Sequence, residues 1–279
     1  MLVTINHMTS IDALRALVEE CGDDLPLDRT LLVLATEEYP QIDISTYLHK
    51  LDDFAQQVRT RIAQGVGAPD ALSDVLFQDI GFVGNETAYY DPANSLLNQV
   101  LDRRLGIPIT LAVVYIEVGR RCGETVQGIG FPGHFLVGHE HRGERLLVDA
   151  FRGGARWTRA DCRTRLEAMS DGQVELAEWM LAPATGRSLV ARVLTNLKVA
   201  YAKAGDVIQA VSAIDRLLVV APERHDELRD RGLLYAGLDL PGPAARDFEA
   251  YLQARPDADD RAQVQARLPK LWADAKRMN

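Results

Sequence analysis

Tyr201, Ala210 and Pro222 recur as Tyr235, Ala244 and Pro256, each thirty-four residues later, and Leu194/Leu228 and Ile214/Phe248 keep the same offset. A period of this length marks a helix–turn–helix unit that cannot bury its apolar face alone. Residues 191 to 258 are therefore expected to form two stacked helix pairs. Residues 260 to 276 follow as a capping helix, with Val264, Leu268 and Leu271 turned inward. Two units fall short of the roughly three needed for independence, so docking on the preceding domain is expected.

Ahead of the repeats, the segment APATGRS at 182 to 188 has the small residues and Pro/Gly content of a linker. Two domains are expected, 1 to 182 and 188 to 279. The fold class is α+β and mostly helical: a first domain with a small antiparallel sheet, then an all-α repeat domain. Helices are expected from Thr9 or Ser10 to Cys21, over Leu27–Glu38, from Asp43 or Ser45 to about Ile62, and from Pro69. Trp157–Met169 reads as strand or short helix and Val174–Leu181 as helix. The net charge of −9 argues against a nucleic-acid or anionic-membrane binder, which needs a basic excess. The pairs Arg103-Arg104 and Arg120-Arg121 read as solvated helix ends. No apolar run reaches the ~18 residues of a membrane span, and MLVTINHMTSID carries no secretion signal. Cys21, Cys122 and Cys162 have neither disulfide nor metal spacing, which suits a reducing cytoplasm.

The chemistry concentrates in Gly106–Phe151, GIPITLAVVYIEVGRRCGETVQGIGFPGHFLVGHEHRGERLLVDAF. Pro108 suits the first position of an apolar helix over Ile109–Arg121, and Gly123 suits its exit. Strands are expected at Val126–Ile129, Phe135–Val137 and Leu146–Val148. A hairpin turning near residues 141 to 143 pairs positions summing to about 283 to 285, which makes His134 and Asp149 cross-strand neighbours. Thr110 lies in the first turn of the helix, near unpaired N–H groups and the positive dipole end. Its hydroxyl is either a nucleophile with His134 as base or a cap of its own turn. Cys122 lies about 18 Å farther along that helix, at the end that disfavours a thiolate. In HEH, His139 and His141 share a strand face while His134 has opposite parity. That segment reads as an exposed turn, and no metal or cofactor is expected.

In the loop GFVGNETAYYDPANS, Asp91-Pro92 is a helix start, and Asn94 and Asn98 are four apart on one expected helix face. They are candidate cleft amides able to donate to a carbonyl or oxyanion, or else they order the loop.

LFQDIGFVGNETAYYDPANSLLNQVLDRRLGIPITLAVVYIEVGRR, then GIGFPGHFLV and VDAF, with LATEEYPQIDISTYLHKLDDFA upstream, resemble the SirB-type bacterial proteins. In these a transglutaminase-like (papain-like) domain precedes tetratricopeptide repeats, whose period and Tyr, Ala and Pro positions match the repeats above. The resemblance covers most of residues 25 to 155. It implies that a catalytic cysteine would stand at the start of the central helix, where this chain has Pro108, Ile109 and Thr110. The family pattern usually has serine or threonine there, and proline where Ala150 follows Asp149. Thr110, His134 and Asp149 are thus a candidate remnant triad. The implied function is a catalytically silent transglutaminase-like/TPR protein in recognition or regulation, with a protein or peptide partner on the repeats. A hydrolase or acyltransferase using Thr110, His134 and Asp149 is the alternative. The oligomeric state is left open.

Overall fold

A computed structural model describes residues 9 to 278; the leader-free reading of the first residues falls mostly outside that range. The chain divides into two compact units, the first ending at Val193 and the second starting at Leu194.

In the first unit the helices are α1 (Ser10–Cys21), α2 (Leu27–Ala35), α3 (Ile44–Ala63), α4 (Ala68–Ser73), α5 (Leu97–Arg103), α6 (Pro108–Arg121) and α7 (Arg159–Ser170). Thr9 caps α1 and Asp43 caps α3, as Ser/Thr/Asp side chains do at orphan N–H groups. A π turn, Asp74–Asp79, continues α4. The unit is built around α6. Every residue from Pro108 to Gly119 is buried, the signature of a helix enclosed on all sides.

The strands are β1 (Val83–Gly84), β2 (Leu105–Gly106), β3 (Thr125–Ile129), β4 (Leu136–His141), β5 (Glu144–Asp149) and β6 (Ala155–Trp157). β1 and β2 pair in parallel, and β3-β4-β5-β6 form an antiparallel sheet. Arg142 (φ 52°) and Gly143 (φ 82°) make the two-residue loop between His141 and Glu144, and two positive φ angles in succession match the twist of a hairpin. That loop fixes the register. Val137 pairs with Val148, so the paired numbers sum to 285.

The two sheet faces have different neighbours. One packs Ile129, Leu136 and Leu147 against Cys162 and Leu166 of α7, with Trp157 alongside. The other faces α6, where Tyr115 meets His139 and Gly119 lies against Val126. HEH is therefore not an exposed turn: His139 is fully buried within β4, because the loop is only Arg142-Gly143 and the strand runs on through His141. The expected helix at Val174–Leu181 is also corrected. Only Glu178–Leu181 turns, as a 3-10 helix, and Met180 and Leu181 bury themselves in the α7 cluster.

Arg121 is not a solvated helix end. Its guanidinium pairs with Asp28 of α2 at 2.5 Å, Asp52 of α3 at 2.8 Å and Glu117 at 2.9 Å. Arg103 likewise reaches Asp91 at 2.8 Å. The segment 182 to 188 is not free chain either: Pro183 bridges to Ile129, and Ala184 N–H donates to Gly128 O. The division between units falls beyond it, inside α8 (Gly186–Ala204).

The second unit continues with α9 (Val207–Val220), α10 (Asp226–Gly237), α11 (Pro241–Ala254) and α12 (Arg261–Met278). Ala210 and Ala244 hold the same buried place in α9 and α11. Phe248, Tyr251, Leu252 and Val264 form a core that Leu268 and Leu271 of α12 cover. Among the described residues no helix is long and apolar enough to cross a membrane.

Candidate functional site

His134 and Asp149 meet. His134 Nε2 lies 2.8 Å from Asp149 Oδ2, within hydrogen-bond range. The route differs from simple strand pairing. With paired numbers summing to 285, the position opposite Asp149 is 136, and His134 stands in a bend before β4. The turn 131–134, closed by His134 N–H to Phe131 O at 3.1 Å, swings the ring onto the carboxylate. Asp149 is fully buried, and its other oxygen accepts from the N–H groups of Phe151 and Arg152. Both carboxylate oxygens are therefore fixed, and the imidazole with them.

The ring of His134 stacks on Trp157, with centroids 5.3 Å apart and planes 12° apart, and meets the Phe151 edge at 6.3 Å. Tyr89 packs on the other side of Phe151 and is itself half exposed. Burial, then its neighbour Tyr90, pushes the Tyr89 phenol up. Arg192 donates to His134 O at 2.6 Å, which fastens the bend. Trp157, Phe151, Tyr89 and Arg192 were not singled out in the sequence. Trp157 and Phe151 flank the His–Asp segment closely enough to be found, whereas nothing local marks Arg192, forty-three residues beyond Asp149.

Thr110 is also fully buried. Its hydroxyl accepts from Ile107 N–H at 3.1 Å, the returning half of a capping box, and donates to Asn94 O at 2.7 Å. None of these bonds goes to His134 or Asp149. The two places are linked by backbone: Gly106 pairs with Gly84, and a Cβ on Gly84 would stand 2.6 Å from the Phe151 ring, so only glycine permits that approach.

Asn94 and Asn98 do not share a helix face. Asn94 ends a 3-10 turn, Pro92–Asn94, and Leu96 is extended before α5 begins. Asn94 orders the loop: it donates to Ala88 O at 2.7 Å and accepts from Asn85 Nδ2 at 3.0 Å. Asn98 is buried, and both polar atoms of its amide lack a hydrogen-bond partner among the described residues.

None of the cysteines stands at the start of α6. Cys122 caps its far end, where burial pushes the thiol up, and Cys162 is buried in the α7 cluster, its thiol likewise raised by burial.

A buried central helix, a His–Asp pair at the end of a small antiparallel sheet, and paired helices after them define a transglutaminase-like domain joined to tetratricopeptide repeats. Comparison with known proteins agrees. The transglutaminase-like superfamily profile matches residues 45–195 and a tetratricopeptide repeat profile matches 197–269. The chain belongs to the transglutaminase-like superfamily, in the group of SirB-type proteins that carry these repeats. It is 38% identical over 256 residues to a UPF0162 protein of Xylella fastidiosa, covering 89% of this chain and 91% of that one. It is 28% identical over 242 residues to UPF0162 protein PA3419 of Pseudomonas aeruginosa, covering 86% and 88%. A shorter stretch of 82 residues is 38% identical to mouse F-box only protein 21, covering 29% of this chain and 13% of that protein.

Proposed function

We propose that this chain is a catalytically silent transglutaminase-like/TPR protein that acts in protein recognition or regulation in the cytoplasm. The observation that carries this reading is the state of Thr110. Where the fold needs a nucleophile, its hydroxyl is buried and bonded to Asn94 O and Ile107 N–H. A hydroxyl without a base is a poor nucleophile, and activation requires a hydrogen bond to that base. The His134–Asp149 pair supports the alternative, a hydrolase or acyltransferase with Thr110, His134 and Asp149 in sequence. That chemistry needs Thr110 to exchange Asn94 O for His134.

Recognition is assigned to the second unit. A groove of about 640 Å³ is lined by Ala236, Ala266, Leu271 and Met278 over the buried Phe248; Arg277 and Asp274 pair on its wall, and Arg267 and Lys270 outnumber the remaining acid, Asp239. Apolar walls with flanking cations suit a peptide that offers a hydrophobic side chain beside a carboxylate. Selection from a random peptide display library on the full chain tests this. Enriched peptides should pair an apolar residue with an acid, and R267E/K270E should lose them. Failure to enrich any sequence, or equal enrichment on the variant, would count against the assignment.

A further inference from the structure

On the sheet face turned toward α6, β4 and the residue preceding β3 bring three metal-binding side chains together. Thr125 pairs with Glu140, so continuing the register sets Glu124 opposite His141. His139, two residues back, shares the face of His141 because strand side chains alternate. One ligand atom from each of Glu124, His139 and His141 lies within 4.8 Å of the others. We propose that Glu124, His139 and His141 form a binding site for a borderline divalent cation of the zinc type.

Four observations support it. The donor set, two imidazoles and one carboxylate, is the mixed nitrogen–oxygen set that zinc takes, with a fourth position open to water. His139 is fully buried, and its Nδ1 is 2.9 Å from the Tyr115 hydroxyl, itself buried in α6. That contact turns Nε2 toward Glu124, 3.1 Å away, and gives the imidazole the outer partner that metal-bound histidines have. On binding, the ring carries its proton on Nδ1, where the tyrosine oxygen accepts it, and Nε2 is free to ligate. The remaining groups adjust easily. Zinc bonds of about 2.0–2.1 Å at tetrahedral angles put ligand atoms roughly 3.3 Å apart. Glu124 and His141 are both partly exposed and can close the difference by side-chain rotation.

Asp70, beside His141, is held in a salt bridge with Arg156, and Glu144 stands across the hairpin from His141 as a second carboxylate next to Glu124. Gly67 adds no side chain near His141: a Cβ there would stand 3.7 Å from Nε2. This site lies on the opposite sheet face from His134 and Trp157, and at the other end of β4, about 15 Å along the strand. It would clip the turn after α6 to the β4–β5 hairpin, which makes its role structural and separate from the His134 pocket.

The test uses tag-free, chelator-treated full chain titrated with zinc chloride by calorimetry and by competition with a chromophoric chelator, and with cobalt chloride by absorption. One equivalent should bind, with a rise in the unfolding temperature and cobalt bands of a four- or five-coordinate nitrogen–oxygen site. H141A and E124Q, both at partly exposed positions, should each weaken binding by more than about tenfold while folding normally. Wild-type protein that shows no saturable binding would overturn the proposal. So would binding that survives both variants unchanged, which would assign the ion to other groups.

Discussion

Arg121→Ala is expected to lower the stability of the first unit by about 3–5 kcal/mol, the usual cost of removing one partner from a buried ion pair. The guanidinium stands between Asp28 and Glu117, both nearly inaccessible, and holds the end of α6 against α2. The bond to Asp52 adds little, because that carboxylate is 56% exposed. The loss should also depend on pH. Burial first, then Asp28, pushes the Glu117 carboxyl above its ordinary value of 4.5, while Arg120 and Arg121 pull it down. Without Arg121 it rises further. A folded-state carboxyl with a raised pKa keeps a proton that the unfolded chain releases, so stability falls as pH rises through that window. Urea unfolding should therefore show a larger deficit for the variant at pH 7 than at pH 5. A deficit under 1 kcal/mol, or one that grows on acidification, would contradict this.

Phe248→Ala is expected to cost the second unit about 3–5 kcal/mol. Phe248 is fully buried on α11, between Gly232 of α10 and the apolar face of α12. A Cβ on Gly232 would stand 2.6 Å from the Phe248 ring, so the two helices close on that ring and cannot refill the space. In a repeat array each unit relies on its neighbour, so the loss should spread along α10 to α12. Hydrogen exchange should record faster exchange across those three helices, with little change in α6. Protection left intact in α10 to α12 would contradict the assigned packing.

Periodic signals were legible: the thirty-four-residue offset located α8 to α12, and the Pro108 and Gly123 punctuation bounded α6. That a hairpin brings His134 near Asp149 was also legible, but not as the cross-strand pair expected, since position 136 stands opposite Asp149 and His134 reaches it from a bend. The exact turn was not legible either. Whether the strand runs through HEH depends on the loop being as short as Arg142-Gly143, which needs Arg142 at a positive φ, not a residue-level preference of arginine. That single step decides whether His139 is an exposed turn residue or a buried strand residue. Arg121 and Arg192 were misread or missed for a different reason. Their partners, Asp28 and His134 O, lie ninety-three and fifty-eight residues away, and nothing in a local window reports them. The pairing of Asn94 and Asn98 failed because Ser95-Leu96 interrupts the helix, a choice made by the buried contacts of Asn94 rather than by propensity.

The central claim is that the helix-start position holds a side chain committed to the fold instead of to catalysis. The measurement that tests it most directly is turnover of amide and thioester substrates by wild type, Thr110→Ala, Thr110→Cys and His134→Ala, with and without iodoacetamide. The expected result is no turnover by wild type under either condition; thiol-sensitive activity, if it arises at all, should be confined to Thr110→Cys, the one variant that places a thiol at that position. Wild-type turnover that iodoacetamide blocks, or thiol-insensitive turnover that both Thr110→Ala and His134→Ala abolish, would contradict the account and establish an enzyme.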